Sequence, residues 1–178
     1  SSVEHPDFSL LGAKGIIAAT GYEGTLGYRI NDMESPTLEA DREAVRTIAD
    51  RLKETGWLFA SHGYGHKHTA DISQNSLAAD TERWQEEIAA YVGDTDLYIY
   101  PYGEEIDYPG PKLSYLQSMG FRYFCGVWAS KPFVSVKDGY VRQTRCNLDG
   151  YTMISRPQSV ADLIDASRIV DPARPELK

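Results

Sequence analysis

Between residues 15 and 127, short apolar runs alternate with stretches of helical periodicity, and this alternation most limits what the chain can fold into. Residues 15–20 form a small-residue apolar run that reads as a strand. A helix is expected over 37–55, where Leu38, Val45, Ile48, Ala49 and Leu52 recur at helical spacing, with Pro36 near its start and Gly56 at its stop. Strand 57–60 follows at once. A second helix is expected over 76–91, with Leu77, Trp84, Ile88 and Tyr91 as its buried stripe and Gly93 as its end. Then come strand 97–100, helix 111–119 closed by Gly120, and strand 122–127. Strands alternating with helices argue for parallel β/α units and an α/β fold. Beyond residue 130 the pattern changes to short β segments over 133–136, 140–144 and 151–154, with Lys137-Asp138-Gly139 as a hairpin turn. A short helix over 160–166 precedes a Pro-rich tail. The glycines of 21–27 match no phosphate-binding loop or dinucleotide fingerprint and read as turn chemistry.

Chemistry concentrates just after strand 57–60. Ser61-His62-Gly63-Tyr64-Gly65-His66 puts two imidazoles in one loop past a strand's C-terminal end. Clefts in open and barrel α/β folds lie at that end. Neutral imidazole suits borderline transition metals, so His62 and His66 are candidate ligands for zinc, with cobalt, nickel or iron as alternatives. H-x-x-x-H is a short pattern, and a solvated hydrophilic loop is the competing reading.

Bulk properties narrow the remainder. With 178 residues the chain has enough length for a real core and reads as one domain. A net charge of −8 disfavours nucleic acid and anionic membranes, which select basic surfaces. No apolar run is long enough to span a bilayer. The opening residues, Ser1-Ser2-Val3-Glu4-His5, lack the charged start and apolar core of a secretory leader. Two cysteines, Cys125 and Cys146, are too few for a disulfide framework. They fall in candidate strands, where free buried thiols are the default and a single bridge the alternative.

A second apolar run, Tyr98-Ile99-Tyr100, ends in Pro101-Tyr102-Gly103. Strand, H-x-x-x-H, helix, strand and P-Y-G in this order resembles the polysaccharide deacetylases of the NodB-homology family, carbohydrate esterase family four. Leu113-Ser114-Tyr115-Leu116-Gln117-Ser118-Met119-Gly120-Phe121-Arg122-Tyr123-Phe124 is similar to that family's helix, "GF" turn and next strand. Gly12 to Gly21 is similar to its second strand. The resemblance covers most of residues 12–128.

The resemblance implies a divalent metal held by one Asp and two His, a second Asp as base, a late His as acid, and a backbone N–H of the P-Y-G loop on the oxyanion. His62 and His66 match the two His. Tyr102 matches the residue whose N–H faces the oxyanion, and Pro101 and Tyr102 together match a wall for a sugar ring. The departures are equally specific. No Asp-Asp follows an apolar strand in residues 1–11, Ile99 stands where the family has Arg, and no His follows His68. The chain therefore reads as a C-terminal portion without the first strand unit, with a degenerate site as the competing reading.

Other candidates come from residue type and placement. Alternation puts Arg145, Asn147 and Asp149 on one side of an extended segment, so Arg145 and Asp149 are candidate catalytic residues. Arg145 either orients a carboxylate near the metal or serves a structural ion pair. Trp128 follows a strand and either stacks on sugar or is core. His68 reads as solvated or supporting, and Glu104, Glu105 and Asp107 as a charged loop with some chance of reaching a metal.

These readings give a partial or distorted (β/α) barrel of the NodB-homology type. The expected function is metal-dependent removal of N-acetyl or O-acetyl groups from a polysaccharide such as peptidoglycan or a chitin-like oligomer. A catalytically inactive carbohydrate-binding domain is the alternative. The family implies a secreted or cell-surface location. A missing segment, or a second chain, is expected to cover the strand over residues 16–20, which is apolar on both faces as a central parallel strand would be.

Overall fold

The computed structural model describes residues 12–127 and 133–171. Among these described residues, six strands form one sheet in the order β1-β2-β3-β4-β6-β5. They are β1 (Ile16–Ala19), β2 (Leu58–Ser61), β3 (Leu97–Ile99), β4 (Tyr123–Val127), β5 (Val134–Lys137) and β6 (Tyr140–Arg145). Neighbours from β1 through β4 to β6 run parallel, and β5 returns antiparallel to β6 as the expected hairpin. Among the described residues the sheet does not close on itself. Its edges are β1 and β5, and among the described residues β1 pairs with β2 alone.

Helices connect the parallel strands and cover one sheet face. α1 (Leu38–Glu54) links β1 to β2 and buries Leu38, Val45 and Ala49. α2 (Gln74–Trp84) links β2 to β3 and runs on through a π turn, Gln85–Ala89, into a last α turn, Ala90–Val92. α3 (Pro111–Ser118) links β3 to β4. Cross-strand partners share a face, so the registers divide the sheet in two. Ala19, Phe59, Tyr98 and Phe124 point into the helical layer, where Trp84, Ile88, Leu77 and Leu116 meet them in two clusters. The other face carries only a narrow buried strip, Ala60, Ile99 and Cys125.

The sequence reading fails at the C-terminal end. Residues 151–154, read as a strand for their Tyr, Thr and Ile content, lie in helix α4 (Gly150–Ser155). The reason is the cap: the Asp149 side chain accepts from the Thr152 backbone N–H at 2.7 Å, and a satisfied helix start overrides weak β propensity. The helix expected over 160–166 is instead turns followed by a 3₁₀ segment, Ala166–Arg168, started by the Asp165 side chain. Cys125 and Cys146 sit on or beside neighbouring strands and both are free thiols.

Candidate active site

The His loop leaves β2 where the sheet ends, and His62 N–H still reaches the Ala19 carbonyl at 3.0 Å. His62 Nδ1 lies 2.6 Å from the Ile99 carbonyl oxygen on β3. A carbonyl only accepts, so Nδ1 carries the proton and Nε2 is the nitrogen left with a lone pair. This is how metal-ligating histidines are usually held. Burial pushes the His62 pKa down; the Ile99 hydrogen bond opposes that, and the nearby charges of His66 and Arg145 add to it. The ring is therefore kept neutral, as ligation requires.

His66 is brought to His62 by a strained, clamped loop. Its φ is +48°, a left-handed conformation that non-glycine residues adopt at a cost of about 1–3 kcal/mol. Asp80 of α2, 6% exposed, holds the loop in that shape. Its carboxylate accepts from the backbone N–H of Tyr64 at 2.8 Å and of Gly65 at 3.0 Å. Gly63 is required beneath it, with φ +66° and a would-be Cβ 2.8 Å from Asp80 Oδ2. The His62 and His66 rings end 4.8 Å apart, centroid to centroid, at 64°. Two imidazoles sharing one ion through bonds of about 2.1 Å have centroids roughly 5 Å apart.

The Pro101-Tyr102-Gly103 turn stands beside the pair. Tyr102 also has a left-handed φ, +58°. Gly103 N–H donates to the Tyr100 carbonyl and Glu104 N–H to that of Pro101, and the Tyr102 N–H takes no part in these bonds. Pro101 is buried under the turn. The Tyr102 ring lies 4.6 Å from His66, tilted at 59°, and stacks on His68 at 3.9 Å and 1°. His68 Nδ1 meets Glu104 Oε2 at 2.6 Å, so His68 packs and pairs rather than standing free in solvent. With exposed Asp71, these two make the only group of three metal-type donors gathered together among the described residues. No third His, Cys or carboxylate donor gathers with His62 and His66 there.

The remaining candidates divide. Arg145 ends β6 on the open face of the sheet, half-buried, with Nε donating to the Gly126 carbonyl at 3.3 Å. It is close enough to act electrostatically on both His62 and Cys125, and it has no carboxylate partner among the described residues. Asp149 corrects the extended-segment reading: β6 stops at Arg145, and Asp149 is the exposed N-cap of α4. The Thr152 backbone hydrogen bond holds its pKa below the usual carboxylate range. Glu105 is committed to the other face, where Arg142 donates to it and stacks over Tyr108. Trp128 lies outside the described residues.

Two contributors escaped the sequence reading. Asp80 sits between Leu77 and Trp84 on the buried stripe of its helix, and a carboxylate on an apolar stripe was a signal in itself. Tyr22 follows β1 at the same end of the sheet and stacks loosely on His66, centroids 6.2 Å apart at 23°.

Comparison with known proteins fits this geometry. No curated protein matches the chain. Among solved structures, the deacetylase PplD from Streptococcus pyogenes, solved with acetate, aligns over 92% of this chain and 64% of its own, at 14% identity and TM-score 0.52. A protein described as a polysaccharide deacetylase from Mycobacterium smegmatis aligns over 75% of this chain and 40% of its own, at 22% identity and TM-score 0.48. The chain thus spans between 40% and 64% of the length of these two proteins. The fold is an open form of the NodB-type (β/α) barrel. The family model for polysaccharide deacetylases matches residues 26–124, more than half of the chain, and takes in both His62 and His66 and the Pro-Tyr-Gly turn. This chain belongs to the polysaccharide deacetylase family.

Proposed function

We propose that the chain carries part of the active site of a metal-dependent hydrolase that removes N-acetyl, or O-acetyl, groups from a polysaccharide such as peptidoglycan or a chitin-like oligomer. The observation that carries this reading is the commitment of His62 Nδ1 to the Ile99 carbonyl, which leaves Nε2 as the free nitrogen of a ring centred 4.8 Å from that of His66. The donor set fits a borderline divalent ion, zinc first and cobalt, nickel or iron after it, with His62 and His66 as two of its ligands. When bound, such an ion polarises a carbonyl and makes water more acidic. The chain's own residues do the rest of what is available here. The Tyr102 N–H, held in its left-handed turn, donates to the oxygen on which charge develops. Pro101 fixes that turn, and the exposed Tyr102 ring offers a face to a sugar. Arg145 brings a positive charge that a carboxylate near the pair would satisfy.

A second reading, an inactive carbohydrate-binding domain, is favoured by one finding: no third donor gathers with the His pair among the described residues. Under the hydrolase reading the third ligand, the base and the acid would come from outside the described residues, for example from a segment or second chain seated against β1. A secreted or cell-surface location accords with polysaccharide as the substrate. The test is acetate release from acetylated oligosaccharides by the zinc-loaded chain and its His62→Ala variant. Slow, zinc-dependent release lost in the variant supports the hydrolase, since absence of a general base typically costs about 10²–10⁴ in rate. Zinc-dependent sugar binding without release supports the second reading. Absence of both zinc and sugar binding rejects the two together.

A further inference from the structure

We propose that Tyr22 and Tyr102 form two walls of one sugar-ring subsite flanking His66; this rests on the polysaccharide reading above and adds to it a residue that the P-Y-G and H-x-x-x-H motifs do not contain. Tyr22 lies on the loop after β1, His66 on the loop after β2 and Tyr102 on the loop after β3. The three rings thus come from successive loops at the C-terminal end of the sheet. His66 is the common neighbour, with Tyr22 nearly parallel to it and Tyr102 tilted against it. Both tyrosines stay open to solvent, 47% and 56% exposed.

Exposed aromatic rings are ordinary when they are mobile, but Tyr22 is held. Its backbone N–H and that of Gly21 both donate to the Tyr64 carbonyl, at 3.1 and 3.0 Å, which ties the β1 loop to the His loop. Tyr64 itself is buried, bonded through its hydroxyl to Asn31 and covered by the Arg83 guanidinium 4.0 Å above its ring. The join is so close that a Cβ at Gly21 would lie 2.2 Å from the Tyr64 ring. An exposed ring on an anchored backbone beside a candidate reaction centre buries little surface for folding. It does reduce the ordering cost of binding. The ligand chemistry that suits a solvent-open tyrosine ring is a flat face of C–H groups rimmed by hydroxyls, which is a pyranose. The subsite would then seat the sugar that bears the acetyl group or its immediate neighbour.

The test is calorimetric titration of the zinc-loaded chain with an N-acetylglucosamine tetramer and with an acetylated xylose tetramer, alongside zinc affinity measured by chelator competition. Tyr22→Ala is expected to weaken binding of the preferred oligomer about fivefold or more with zinc affinity unchanged. Tyr22→Phe keeps the ring and is expected to stay within about twofold, and Tyr151→Ala, on exposed α4, to change nothing. Loss of sugar binding in Tyr102→Ala but not in Tyr22→Ala overturns the two-walled subsite and leaves the polysaccharide reading standing. Failure of the unaltered chain to bind either oligomer overturns that reading, and the subsite with it.

Discussion

The two faces of the sheet are built from the same five parallel strands and antiparallel β5, yet they behave as different materials. On the helix-covered face, Phe59, Tyr98 and Phe124 are no more than 6% exposed. On the other, their strand neighbours Leu58 and Tyr123 are 54% and 43% exposed, with Ile16 at 44% and Val136 at 74%. Apolar surface left in water forfeits about 25 cal/mol per Å². The open face is therefore where a closed barrel would have its interior and where this chain has little. His62 and Arg145 stand at the rim between the two regimes. The candidate ligands His62 and His66 cluster at that rim, and no third donor gathers with them among the described residues.

The sharpest way to break this contrast is to hollow out one face and then the other. Trp84→Ala removes a fully buried ring whose Nε1 donates to the Ala19 carbonyl at 2.8 Å, and it is expected to cost about 3–5 kcal/mol in denaturant unfolding. Leu58→Ser on the open face is expected to change stability by no more than about 0.5 kcal/mol. A large loss from Leu58→Ser would mean that the open face is covered in solution.

Asp80→Ala comes next in size. It leaves the Tyr64 and Gly65 N–H groups without their acceptor and is expected to cost about 2–4 kcal/mol. It should also weaken zinc binding by more than Glu104→Gln does, because it frees the His66 loop. Equal effects on zinc would show that Asp80 does not set the pair's geometry.

Hydrogen exchange extends the comparison to the edge. Amides of β3, flanked on both sides, are expected to exchange more slowly than those of β1, which pairs with β2 alone among the described residues. Equal protection would reveal a partner on β1.

The smallest effect concerns pH. Burial lowers the His62 pKa, so in acid the unfolded chain takes up a proton that the folded chain does not. Stability of the metal-free protein should therefore be flat above the free-histidine range, about 6.5, and fall as pH drops through it toward the lowered folded value. His62→Asn should reduce that slope, and an unchanged slope would remove His62 as its source.

Much of this architecture was legible because parallel β/α units leave a strong periodic trace. Leu38, Val45 and Ala49 mark α1 and Gly56 ends it, while Gly93 and Gly120 end its two successors. The His pair and the P-Y-G turn were legible as motifs. Which sheet face lay open was not, because short parallel strands are apolar on both sides whether or not a barrel closes. Asp149 was misplaced because strand alternation was carried past the end of β6, where a capping bond turns the chain into α4. Tyr22 was invisible because its meaning depends on Tyr64, 42 residues on, drawing two loops together.

Zinc titration against a competing chelator decides whether His62 and His66 share one ion. One site is expected in the unaltered chain, lost in both His62→Ala and His66→Ala and retained in a His68→Ala/Glu104→Gln double variant. Zinc bound undiminished by a His62→Ala/His66→Ala chain, or lost when only His68 and Glu104 are changed, would contradict it.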